Sequence, residues 1–151
     1  MFSISFSGEP LEYPFDDPSI PAAPGKLVLG TSEEEFLANL SIWSKSDYEA
    51  HWERELRALV EGNSKVALVV SYDDPKAASN LEIWRVYRDE ESAHFQNQLL
   101  SYDNLPADFE VSEIRRYIQD RVVTNAHGDR ISEWDVALRD IELFLRDSVD
   151  S

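Results

Sequence analysis

The chain has 151 residues, with 30 acidic against 14 basic side chains and a formal net charge of −16. Gripping phosphates takes clustered lysine and arginine, so this balance argues against nucleic acid and an anionic membrane surface as partners; it suits a basic protein partner or solubility alone. The absence of cysteine excludes disulfides, thiolate metal sites and thiol catalysis.

The acid is distributed, with a net charge of −9 over residues 1–75 and −7 over 76–151, so neither half is a solvating tail. An apolar content of 42% with 11% aromatics is too high for a disordered chain. A chain of this length buries roughly 68–70% of its unfolded surface without staples, so one domain spanning 1–151 is expected. Met1–Phe6 carries no basic n-region or long apolar stretch, and no run approaches ~18 apolar residues, so the cytoplasm is the expected location.

In chain order, Phe2, Ile4 and Phe6 alternate with serines, the period of a half-buried strand, and the run stops at Gly8. Five prolines between Pro10 and Pro24 predict an irregular connection carrying Asp16 and Asp17. Lys26–Thr31 and Glu35–Leu40 read as two short strands. The clearest helix runs from Ser44 to Gly62. Ser46 and Glu49 suggest a capping box, Tyr48, Trp52, Leu56, Leu59 and Val60 make one apolar stripe, and Glu53 pairs with Arg57 on the outer face. So much aromatic area must lie against a sheet, with Trp52 in the core. His51 and Glu55 read as a solvated pair at i,i+4.

Val66–Tyr72 is apolar on both faces, the pattern of a central strand, and Asp73-Asp74-Pro75 breaks it. Asn80–Arg88 and Ala93–Leu100 follow, joined by a short turn, Asp89 to Ser92, that forces antiparallel pairing. In the second strand Phe95 and Leu99 share the buried face, while His94, Gln96 and Gln98 face water. Asn97 is expected to be a satisfied inward polar group if that strand is buried, with Trp43 and Trp134 structural. Val111, Ile114, Tyr117 and Ile118 have helical spacing. Val122–Thr124 and Ile131–Val136 flank a turn-rich run that reads as a hairpin, and Leu138, Ile141 and Leu145 predict a closing amphipathic helix with Arg146 near its negative end.

Catalytic chemistry is not legible. The three histidines lie on a helix, a strand and a turn with no metal-binding spacing, no Gly-x-Ser-x-Gly elbow occurs, and no glycine run could cradle phosphate. Carboxylate pairs are too numerous to be informative. No catalytic residue, metal ligand or cofactor is assigned.

Phe6-Ser7-Gly8-Glu9-Pro10, Leu40-Ser41-Ile42-Trp43, Asp47-Tyr48, Trp52, Ala67–Tyr72 with Pro75, Trp84, Tyr87, Gln96-Asn97 and Ile131-Ser132-Glu133-Trp134, in this order, resemble the CdiI immunity proteins of bacterial contact-dependent growth inhibition. The likeness departs over Pro14–Pro24 and 101–118. It implies an α+β fold of curved antiparallel sheet, similar to Whirly domains, with a long amphipathic helix after the first strands and a C-terminal helix. It also implies a cognate CdiA C-terminal toxin domain as partner, in the most similar subgroup a ribosomal-RNA nuclease resembling a ribosome-cleaving colicin. Such a nuclease must be basic, which would account for the acid here. An acidic adaptor with another partner stays open as the alternative.

Strand order places the partner site. In a meander, the 73–79 connection and the segment after Leu100 fall at one end of the sheet, so Tyr72, Asp73, Asp74, Tyr102, Asp103, Asp108 and Glu110 should gather there. Aromatic anchors inside a carboxylate rim suit a basic partner. Asp89, Glu90 and Glu91, at the opposite end, form a second candidate.

Overall fold

The protein is described by a computed structural model covering residues 1–8, 11–12, 21–76 and 78–150; the expectation about Asp16 and Asp17 lies outside the described residues. Two four-stranded antiparallel sheets and two helices make an α+β fold, as the sequence predicts.

The first sheet contains β1 (Phe2–Phe6), β2 (Leu11–Glu12), β3 (Pro21–Leu29) and β4 (Ser32–Asn39). β3 is central, with β4 on one side and both β1 and β2 on the other. The irregular connection expected as far as Pro24 is thus corrected: Pro21–Pro24 belong to β3. The prolines are tolerated by position. Pro21 opens the strand. The Pro24 carbonyl accepts from the Ser7 N–H, so its nitrogen faces the side where the neighbour changes from β2 to β1. Beside it, Gly25 is obligatory in another sense, because a Cβ there would stand 2.2 Å from the Phe36 ring that lies over it.

Helix α1 (Lys45–Val60) lies where the sequence places it, but its capping box sits two residues earlier than expected. Ser44, not Ser46, is the N-cap, and Asp47 closes the capping box by accepting from the Ser44 N–H at 2.9 Å. Tyr48, Trp52, Leu56 and Leu59 are buried as expected. His51 and Glu55 are buried too, which overturns their reading as a solvated pair.

The second sheet runs in the order β5 (Lys65–Ser71), β6 (Asn80–Asp89), β7 (Ser92–Ser101), β8 (Trp134–Ala137). β5 is therefore an edge strand and not a central one; its residues Val66–Val70 are nevertheless fully buried, and α1 packs against it. The β6–β7 turn is only Glu90-Glu91, with Glu90 at φ 56°. The facing of β7 also differs from the expectation. Leu99 is 64% exposed while Gln96 is fully buried, because the segment after Ile118 closes over that side of the sheet: Tyr87 donates to the Gln119 carbonyl and Gln96 to that of Val122. Asn97 is exposed and donates to Glu82 at 3.0 Å.

The expected 122–136 hairpin reduces to a single bridge between Thr124 and Arg130, since Val122 and Val123 are exposed and have no face to bury; 134–137 instead pair with β7. Val111–Tyr117 is a kinked 3-10 segment that buries Ile114, and Tyr102–Asn104 is a shorter one. Helix α2 (Leu138–Asp150) buries Leu138, Ile141 and Leu145 and runs past Arg146, which stands short of its last turn. Both sheets and both helices contribute to one apolar cluster, with the Phe2 ring 5.5 Å from Phe95 and 5.3 Å from Phe144. Among the described residues no helix is long and apolar enough to cross a membrane.

Candidate partner-binding site

An uncovered edge strand invites pairing with another chain, so the edge of β5 must be occupied before any loop beyond it can hold its shape. Side chains of α1 do this. The His51 Nε2 accepts from the Val69 N–H at 2.9 Å, the Trp52 Nε1 donates to the Val69 carbonyl at 2.7 Å, and the Glu55 carboxylate accepts from the Ala67 N–H at 3.3 Å. Accepting at Nε2 requires a neutral ring with its proton on Nδ1. Burial, reinforced by the nearby Arg54 and Arg115 charges, lowers the His51 pKa to about 3 and keeps it neutral. Glu55 is compensated by Arg115, whose guanidinium reaches both carboxylate oxygens at 2.7–3.0 Å.

The same scaffold fixes the loop after β5. Tyr48 of α1 donates to the Asn39 carbonyl at 2.6 Å and its hydroxyl accepts from the Tyr72 N–H at 2.8 Å. The Asn39 amide donates to the Asp73 carboxylate at 2.8 Å, and the Tyr102 hydroxyl donates to the Asp73 carbonyl. Trp43 packs edge-on to Tyr48 and Tyr72, with both ring centroids at 5.1 Å. Burial is the main cause that raises the pKa of all three tyrosines, with Asp73 or Asp74 adding to it, so they remain protonated donors.

Tyr72, Asp73, Asp74 and Tyr102 are thus brought together at one end of the second sheet. Their roles differ. Asp73 is turned inward to hold Asn39, and Asp74 closes a turn by accepting from the Lys76 N–H at 2.9 Å. Asp103, Asp108 and Glu110 are exposed along the segment that follows, and no hydrogen bond among the described residues engages their carboxylates. Asp89, Glu90 and Glu91 lie at the far end of the β6–β7 ladder, since Asn80 pairs with Ser101 and Asp89 with Ser92. Asp89 contacts His94 at 3.2 Å, and the Glu91 carbonyl accepts from the Leu138 N–H at 2.8 Å.

Two features escape the sequence. His94, Glu133 and Asp135 place potential metal-ligating atoms within 4.8 Å of one another. Their atoms already have partners: Glu133 accepts from Arg121 at 2.5 and 2.8 Å and from Gln96 at 2.8 Å, while Asp135 is bonded to His94. The second is a cleft between the sheets lined by Glu34, Glu82, Trp84 and Trp134. Neither follows from spacing along the chain, because each depends on strand register between distant segments.

The chain thus combines an α+β scaffold with an acidic, aromatic-braced loop surface at one end of the second sheet. Residues 38–144 match the family described as the CdiI N-terminal domain, and the chain belongs to that family. It is 27% identical over 141 residues to the immunity protein CdiI of Enterobacter cloacae subsp. cloacae, covering 93% of this chain and 94% of that one. It is also similar to a chain of the solved CdiA-CT/CdiI toxin and immunity complex from Enterobacter cloacae, with a TM-score of 0.88, 26% identity and full coverage of both chains.

Proposed function

We propose that this chain is an immunity protein that binds the C-terminal toxin domain of its cognate CdiA in the cytoplasm and neutralises it by occlusion, without catalysis. The toxin is a basic nuclease in this reading, and the acidic surface covers its active site or the path of its substrate. The observation that carries the reading is full-length likeness to a CdiI chain solved together with CdiA-CT, on a protein of net charge −16. Matching charge steers association and lets a carboxylate surface compete with phosphate for the same basic groups. The end of the second sheet supplies the contact: Tyr72 and Tyr102 as anchors, with Asp74, Asp103, Asp108 and Glu110 as the rim. Residues 1–151 act as one unit in this reading, because strands of both sheets and both helices share one apolar cluster.

The test is growth of cells that express the co-encoded toxin domain. Co-expression of this chain is expected to restore growth, and a catalytically intact toxin should co-purify with it. Continued killing with both proteins present and folded would overturn the reading.

A further inference from the structure

The cleft between the sheets, of about 370 Å3, combines two indoles with three carboxylates and has no basic side chain in its lining. Register explains how it forms. Glu34 lies opposite Leu27 in the β3–β4 ladder, on the face of the first sheet that carries the core, so its carboxylate faces the gap between the sheets. On the other wall, Glu82 and Trp84 alternate on one face of β6, with Leu99 and Asn97 directly opposite on β7. Trp134 closes the floor, its ring 5.3 Å from that of Trp84 at 64°. Glu35 stands at the rim.

Glu82 accepts from the Asn97 amide at 3.0 Å, but the carboxylates of this cleft have no counter-charge. Among the described residues neither Glu34, Glu35 nor Glu82 forms an ion pair, whereas Lys65 pairs with Asp120, Arg121 with Glu133, and Arg88 donates to the Leu59 and Val60 carbonyls. Half-buried carboxylates beside aromatic faces, with no counter-ion of their own, suit a cationic group from outside. A cation set over an indole is drawn to the ring, more strongly once water is excluded. Leu99, 64% exposed, lies across the ladder from Glu82.

We infer that this cleft receives an arginine side chain projecting from the toxin domain. The inference rests on the toxin-binding reading above and adds a specific contact to it. Arginine fits better than lysine because a planar guanidinium stacks on indole while its fork satisfies two carboxylates, and it is enriched among residues that dominate interfaces. Glu82 lies two positions along β6 from Asn80, whose partner Ser101 caps the Tyr102–Asn104 turn. Glu82 therefore stands toward the same end of the sheet as Tyr102, the end at which the toxin is proposed to dock.

The experiment is a binding titration of the full chain with the co-encoded toxin domain, comparing wild type, E34Q/E82Q and E49Q/D147N. The last removes the same charge from exposed positions elsewhere, and both variants are checked for an unchanged thermal midpoint. E34Q/E82Q is expected to weaken binding by at least about tenfold and E49Q/D147N by less than about twofold, since buried charged contacts at an interface outweigh exposed ones. Equal weakening, or none, would overturn the inference. Each toxin arginine and lysine is then replaced by glutamine in a double-mutant cycle with E34Q; coupling to one arginine supports the proposal, and coupling only to a lysine or to no basic residue overturns it. Failure of the wild-type chain to bind the toxin at all would instead remove the functional reading itself.

Discussion

Arg115 reaches both oxygens of the Glu55 carboxylate, at 2.7–3.0 Å, and Glu55 is completely buried where α1 meets the edge of β5. The pair joins the helix to the 3-10 segment across the strand it covers. Removing one partner of a buried pair leaves the other charge uncompensated, at a cost of about 3–5 kcal/mol. Arg115→Ala is expected near the low end of that range, because its side chain is 34% exposed and Arg54 also stands 3.8 Å from Glu55. Glu55→Gln/Arg115→Met should recover part of the loss. Chemical denaturation of the three proteins checks this; an unchanged midpoint for Arg115→Ala would show that Glu55 needs no counter-charge.

His51 makes stability acid-sensitive. Its folded pKa, lowered mainly by burial to about 3, lies below its ordinary value of 6.5. Its contribution is complete above 6.5 and is lost progressively as pH falls toward 3, because the unfolded chain takes up the proton first. His51→Gln, which retains an acceptor for the Val69 N–H, should show a shallower loss of stability over that window than wild type. Parallel pH profiles would contradict the assignment.

His94 has the opposite sign. Burial lowers its pKa, but hydrogen bonds to Asp135 and Asp89 outweigh this, and Glu133 and Arg121 stand close by; the net shift is upward from 6.5. Its stabilisation is complete below 6.5 and fades as pH rises through the raised folded value. The difference in thermal midpoint between wild type and His94→Gln should therefore shrink as pH increases through and above 6.5. A difference that grows with pH would contradict this.

Trp52 is 2% exposed and bonds the Val69 carbonyl. Trp52→Ala should cost about 3–5 kcal/mol, the usual price of deleting a large core aromatic, read as a lower denaturation midpoint. No shift would mean the ring is dispensable to the core.

How much of this is legible in the sequence depends on whether the controlling contact is local. The α1 stripe is legible because Tyr48, Trp52, Leu56 and Leu59 repeat at the helical period, and the gathering of Tyr72 and Tyr102 follows from meander connectivity alone. The burial of His51 and Glu55 is not, since their partners are the N–H groups of Val69 and Ala67 and the Arg115 guanidinium, all in other elements. The facing of Leu99 and Gln96 misleads for a similar reason: alternation says that two sets of residues face apart, and the segment after Ile118 decides which set is covered. The inward turn of Asp73 toward Asn39 requires knowing that β4 ends beside β5.

That inward turn also determines how the binding surface is tested. Asp73 is left intact, and Asp74 and Asp103 are reversed to lysine, beside a matched reversal of Glu90 and Glu91 in the β6–β7 turn. The decisive measurement is the association time course of each protein with the co-encoded toxin domain at low and high salt. Wild type is expected to associate rapidly and to slow as salt screens the steering field; D74K/D103K should associate more slowly with little salt dependence, and E90K/E91K should behave as wild type. Loss of binding in the turn variant alone would place the interface at the opposite end of the sheet, and absence of any wild-type complex at either salt would contradict the immunity function.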